Sequence, residues 1–230
     1  MYGGLYNAAF SPSTIGDFPL MNLLLALLIA FVVAVLTERM GWLGPKTAWA
    51  AALVGGLPLW AGGFSAALAV IFFVALGSIA SRLNPGSHDR TGRRAFQVLA
   101  NGLPAALGMA LGSPIFFAAA LATAAADTLA TEIGSRSRWA WHPLKGRVES
   151  GTNAAVSAPG TLALVLGAGM FAPWAWWLDV PAGAVVFGGI AGALADTLLG
   201  LFEDRFEWWS NDLTNLLATT TGGLVALWLA

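Results

Sequence analysis

The chain has 230 residues, of which 57% are hydrophobic and only 10% charged, with a net charge of −1 and no cysteine. Soluble globular proteins carry about 25% charged residues, so this composition excludes a soluble domain. The absence of cysteine excludes disulfides and thiolate chemistry. With no basic tail and no nucleic-acid motif, no nucleic-acid partner is expected.

Apolar runs of the length needed to cross a bilayer recur throughout. Eight are predicted, over residues 20–37, 44–60, 64–80, 95–111, 114–131, 155–172, 181–200 and 213–229. The second and third hold Gly55, Gly56, Pro58, Gly62 and Gly63, any of which can break them into shorter pieces. The first is preceded by Asp17 and no basic residue, which marks a retained span and not a cleavable signal peptide. Residues 2–19 are rich in turn formers and are placed at the outer surface.

Charge placement tests this layout independently. All eleven Lys and Arg fall in the loops 38–46, 81–94, 132–152 and 201–212, which alternate with loops that have none. By the positive-inside rule those four loops face the cytoplasm and both termini lie outside. Trp174, Trp176 and Trp177 then sit in the outer interfacial belt, and Trp208 and Trp209 in the inner one. The expected fold is all-α: one polytopic bundle of seven to eight spans over 1–230. Residues 1–80 form scaffold or lipid-groove helices, with Glu38-Arg39 as a solvated cap. Residues 81–230 form a polar core.

That core is announced by two acidic residues inside apolar runs, in the repeated tripeptides Ala126-Asp127-Thr128 and Ala195-Asp196-Thr197. A carboxylate at membrane depth costs a few kcal/mol or more, so it marks a partner or a task. Helical spacing gathers further polar groups on single faces: Asn211, Asn215 and Thr219; Arg94, Gln97 and Asn101; and Asp127 with Thr131, beside Glu132. Gly188, Gly192, Asp196 and Gly200 also share a face, so Asp196 projects from a stripe where backbones can approach closely. Gly151-Thr152-Asn153 is read as opening the sixth span, with Ser157 following, and such a turn offers backbone N–H groups to phosphate. Lys145, Arg147, Arg90, Arg93 and Arg94 supply cations from two long loops on the same side. Paired carboxylates, amides and arginines suit a divalent metal holding a polyphosphate. Each part alone has a plainer reading: Asp127 bonding a helix end, Gly151-Thr152-Asn153 as a simple cap, Arg90–Arg94 as a topology determinant. His88 and His142 are read as ordinary loop residues.

The segments TGRRAFQVLANG (91–102), AADTLATEIG (125–134), GTNAAVSAPGTLA (151–163) and ADTLLG (195–200) resemble an integral-membrane family. It includes the chloroplast phytyl-phosphate kinase of tocopherol synthesis and the eukaryotic transmembrane protein 19, with wider similarity to dolichol kinases and CDP-diacylglycerol synthases. The resemblance spans residues 80–230. It implies phosphoryl transfer from a nucleoside triphosphate, CTP foremost, to a prenyl or phytyl monophosphate of isoprenoid metabolism, at the cytoplasmic face of the inner membrane. Here Ala154 and Ala155 stand where the family loop usually has two glycines, and His88 to Gly92 replace its Lys-Ser-Gly-Thr.

The resulting expectation has Asp127 and Asp196 holding Mg²⁺ and forming, with Glu132, the catalytic group. Gly151, Thr152, Asn153, Ser157, Lys145, Arg90, Arg93 and Arg94 bind nucleotide or phosphate. Asn101, Thr131, Asn211 and Asn215 orient the others. Two rivals stay open: a cation-coupled transporter, which also places carboxylates in Gly-rich helices, and a cytidylyltransferase, which would attack the α-phosphate of the same nucleotide.

Overall fold

The computed structural model describes residues 19–230 except 88, 90, 91 and 204. The expectations for residues 2–18, His88, Arg90 and Asp204 lie outside the described residues. The elements in chain order are α1 (Pro19–Arg39), α2 (Ala48–Leu83), α3 (Ala95–Ala110), α4 (Pro114–Gly134), β1 (Ala140–His142), β2 (Gly146–Val148), α5 (Ala158–Gly169), α6 (Ala172–Trp177), α7 (Ala182–Glu203) and α8 (Asn211–Leu229). Five are long and apolar enough to cross a membrane, with α5 and α6 taken as one. Helices satisfy their backbone groups internally, as hydrocarbon demands. The protein is an all-α polytopic membrane protein.

Helix α2 has 36 residues. At 1.5 Å per residue it would run about 54 Å, well beyond a hydrocarbon core of about 30 Å. It breaks at Gly63, whose φ of 65° and ψ of −156° leave the helix. The halves fold back on each other, because both ends of α2 meet residues 38–48. At its start, the Glu38 carboxylate accepts the amides of Lys46 (2.9 Å) and Ala48 (3.1 Å). At its end, the Arg82 guanidinium donates to the Met40 carbonyl. Of the five suspected breakers only Gly63 acts. Gly55, Gly56, Pro58 and Gly62 stay helical, and Gly56 and Gly62 serve instead as close-packing points against Leu27 and Met109.

Helix α4 is the hub. Its stretch from Phe117 to Ala126 is buried throughout, and α2, α3, α5, α7 and α8 all pack on it. Small residues allow this: a Cβ on Gly167 would come within 2.9 Å of Ala126 Cα, and one on Gly188 within 2.6 Å of the Gly222 carbonyl. Van der Waals contact at this distance, not a hydrophobic drive, holds helices together in lipid. The glycine stripe on α7 is thus the packing seam its spacing predicts. Outside it, α1 turns Leu24, Leu25 and Leu28 outward.

Aromatic clusters mark the two ends. Trp174 stacks on Trp177 at 5.5 Å on α6, and Phe202 at the end of α7 clusters with Phe206, Trp208 and Trp209 beyond it. The loop after α4 holds one element that the helical reading did not foresee, an antiparallel ribbon pairing Ala140 with Val148. His142 shapes its turn: the buried Nδ1 accepts the amides of Leu144 (3.1 Å) and Lys145 (3.2 Å).

Candidate functional site

The two aspartates meet because the helices carrying them are in register. One turn before Asp196, the glycine at 192 lies flush against Thr123, which is one turn before Asp127. With that contact fixed, the next turn of α7 faces the next turn of α4. The Asp127 and Asp196 carboxyls lie within hydrogen-bonding reach of each other, and Glu203 adds a third negative field. Asp196 Oδ1 is buried without a hydrogen-bond partner. Two carboxylates this close repel unless a proton or a cation lies between them. A divalent cation fits that demand and the orphaned oxygen. Among the described residues no three His, Cys, Asp or Glu side chains converge as a ready-made cage. Magnesium is normally held with one or two carboxylates and completes its shell from water and ligand oxygens, so the residues present fit it.

Two cavities open at this end of the bundle and meet at Asp127. The first, about 430 Å³, lies between α4, α5, α7 and the loop before α5. Its wall includes Gly151, Thr152, Asn153, Ser157, Asp196 and Glu203, together with Leu164 and Leu194. Asn153 is the bracket: its amide donates to the Gly200 carbonyl (3.1 Å) and to Glu203 (3.0 Å), tying the loop to the end of α7. Glu203 also accepts from Thr214 (2.6 Å), which links in α8.

The expected phosphate turn differs in one respect. Residues 151–153 do not open the helix; α5 starts at Ala158, capped by Ser157, whose hydroxyl accepts the Gly160 amide (3.3 Å) and donates to the Gly134 carbonyl (3.2 Å). The loop curls on itself instead, with the amides of Thr152, Ala154 and Ala155 bonded within it. Ala154 sits there at φ 56°, a left-handed conformation that glycine adopts without strain.

The second cavity, about 500 Å³, lies between α3, α4, α8 and the loop after α2. Every residue lining it is polar, charged or glycine. Glu132 organises it: Ser81 and Ser87 donate to one carboxylate oxygen at 2.6 Å each, and Asn84 to the other at 2.8 Å. A buried carboxylate with its lone pairs so occupied anchors the α2–α3 loop, and that makes Glu132 an orienting group in this arrangement. Gln97 donates to Asp89 (2.6 Å), and Arg93 Nε lies 3.8 Å from the same oxygen. The Arg93 guanidinium packs over the Phe73 ring at 5.3 Å and against Gly77, and its two terminal nitrogens are buried without hydrogen-bond partners. Burial pulls its pKa below the ordinary value, and the fields of Asp89, Glu132 and Asp127 oppose that.

Of the residues singled out from the sequence, the cavities bring together Asp127, Asp196, Glu132, Gly151, Thr152, Asn153, Ser157, Arg93, Asn101, Thr131, Asn211 and Asn215. Arg94 and Lys145 are left out of both linings. Arg94 points to solvent, 3.9 Å from Asp212, and Lys145 sits on the exposed turn of the ribbon. Thr219 is buried against the Ala100 and Asn215 carbonyls, bonding α8 to α3. Sequence reasoning missed Asp89, Asn84, Ser87 and Glu203. The first three were legible as polar density in one loop; Glu203 follows Asp196 at the end of the same helix, as Glu132 follows Asp127.

A family described as integral membrane protein DUF92 matches residues 28–223. An uncharacterized membrane protein of Methanocaldococcus jannaschii, MJ0933, is 30% identical over 224 residues, covering 90% of this chain and 94% of that protein. No solved structure matches.

Proposed function

Since the chain belongs to the DUF92 family of integral membrane proteins, we propose as its activity phosphoryl transfer from a nucleoside triphosphate, CTP foremost, to a prenyl or phytyl monophosphate. The observation that carries this reading is the Asp127–Asp196 pair at the junction of two polar cavities. Two bound groups reaching that junction from opposite sides would meet at the carboxylates. Asp127 and Asp196 would hold Mg²⁺, which when bound neutralises charge on the transferring phosphate.

In the reaction, an oxygen of the lipid monophosphate forms a bond to the γ-phosphorus. The bond from that phosphorus to the β-bridging oxygen breaks, and the nucleoside diphosphate leaves with the electron pair. The acceptor is largely dianionic at neutral pH, since the second pKa of a phosphate monoester is about 6. It needs little help from a base, so the protein acts by positioning and by charge neutralisation. The four basic loops support an inner-membrane protein with this site facing the cytoplasm.

The test is transfer of label from γ-labelled CTP with Mg²⁺ to geranylgeranyl and phytyl monophosphate by protein purified in detergent. Label in a lipid diphosphate supports the kinase. Unlabelled lipid with labelled pyrophosphate released replaces it by a cytidylyltransferase. Ion uptake into vesicles without either product replaces it by a transporter.

A further inference from the structure

The two cavities differ in kind, and the difference assigns a substrate to each. The one beside α3 and α8 is lined by polar, charged and glycine residues with no aliphatic or aromatic side chain among them, and it holds a buried arginine whose terminal nitrogens lack partners. Such a chamber suits a water-soluble, multiply charged ligand better than a hydrocarbon chain. The one beside α5 and α7 adds aliphatic side chains to its polar lining, among them Leu164 on α5 and Leu194 on α7.

Its side is also open. Helices α5 and α7 close on each other at Ala168 and Gly189, where a Cβ on the glycine would come within 3.2 Å of the alanine's. Toward the charged end they part, and the cavity lies in the gap between Thr161 and Leu164 on one helix and Leu194 and Thr197 on the other. Leu194 lines the cavity and is 47% exposed on the outer, apolar face of the bundle. It therefore stands in the opening. Leu164 lies seven residues beyond the cap of α5, about 10 Å along the helix from its charged end at 1.5 Å per residue.

We propose that this opening is a lateral gate for the lipid substrate. The monophosphate head rests in the α5–α7 cavity beside Asp196 while the prenyl chain runs out past Leu194 into the membrane. The nucleotide occupies the all-polar cavity beside Arg93. The assignment rests on the kinase reading for the identity of the two ligands, and it gives the loop 151–157, expected to bind nucleotide or phosphate, to the lipid phosphate.

A geranylgeranyl monophosphate analogue with a diazirine on its chain tests this in vesicles without requiring turnover. Photolabel on α5 and α7 between residues 158 and 200, removed by excess unlabelled monophosphate, is the expected result. Competed label in the apolar groove that Ile29, Ala51 and Val70 line between α1 and α2, or no competed label, overturns the gate. Steady-state kinetics give the second reading: Leu194→Trp raises KM for the lipid about tenfold and leaves KM for CTP unchanged, whereas Gln97→Ala does the reverse. Equal shifts in both constants for either variant overturn the division of the chambers. Competed label at α5 and α7 with no transfer from any nucleotide keeps the gate and removes the kinase.

Discussion

Helices α1 and α4 are equally long at 21 residues and both apolar, yet they live in different solvents. Only 11% of the α1 residues from Asn22 to Arg39 are buried, against 67% of the most apolar stretch of α4. Leucine and valine suit the first, where lipid chains accept any shape. Alanine and glycine are required in the second, where five helices press on one. That contrast explains where polarity is tolerated. A carboxylate on α1 would face hydrocarbon, whereas Asp127 on α4 faces two cavities of about 430 and 500 Å³ lined largely by polar groups, Asp196 and Thr131 among them. The close packing that excludes lipid from α4 is what makes a polar site at its end affordable.

The largest effects belong to the buried junction. Asp127→Asn and Asp196→Asn should each lower phosphoryl transfer by about 10²–10³-fold, the scale seen when one group that stabilises transition-state charge is removed. Size-exclusion profile and thermal unfolding in detergent should stay near wild type. An activity within threefold of wild type in both variants would separate the pair from catalysis.

Packing sharpens the comparison next. Gly192→Leu drives a side chain into Thr123 and the Ala218 carbonyl and should destabilise by about 1–3 kcal/mol or more. Leu28→Ala on α1, where the side chain is 59% exposed, should stay within about 0.5 kcal/mol. Thermal unfolding of both variants in the same detergent is the measurement, and equal losses would break the distinction between hub and rim.

Glu132→Ala removes both acceptor oxygens from the Ser81, Ser87 and Asn84 donors. The expected loss is about 1–3 kcal/mol, concentrated in residues 84–89, whose amides should exchange hydrogen faster while α4 stays protected. Faster exchange spread over α4 would mean that the residue supports the helix and not the loop. The smallest effect is a gain. Ala154→Gly removes the left-handed strain at that position and should stabilise by about 0.5 kcal/mol, part of the relief being offset by the freer unfolded chain. A loss of stability there would show that the alanine methyl packs usefully.

Much of this was legible along the chain. Bilayer thickness sets the span length, so apolar run length alone places the helices to within a few residues. Side-chain period does the same for faces: the α7 glycine stripe and the Asn211–Asn215 pair follow from 3.6 residues per turn. The composition of α4, alanine where α1 has leucine, already indicates which helix is enclosed. Other features depend on who the neighbours are, and no local pattern carries that. Gly63 breaks α2 while Gly55, Gly56 and Gly62 do not, because the latter are held helical by packing against other helices. Arg93 and Arg94 are adjacent and chemically alike, yet one is buried over Phe73 and the other points to water. Glu132 is committed to three donors from the end of α2 and the loop after it, some fifty residues earlier. Membrane class, helix faces and the position of the polar end follow from solvent and periodicity, and so can be read along the chain. That the polar end is two chambers, one with aliphatic side chains in its lining and one without, depends on how the helices pack, and a gap between helices has no residue of its own.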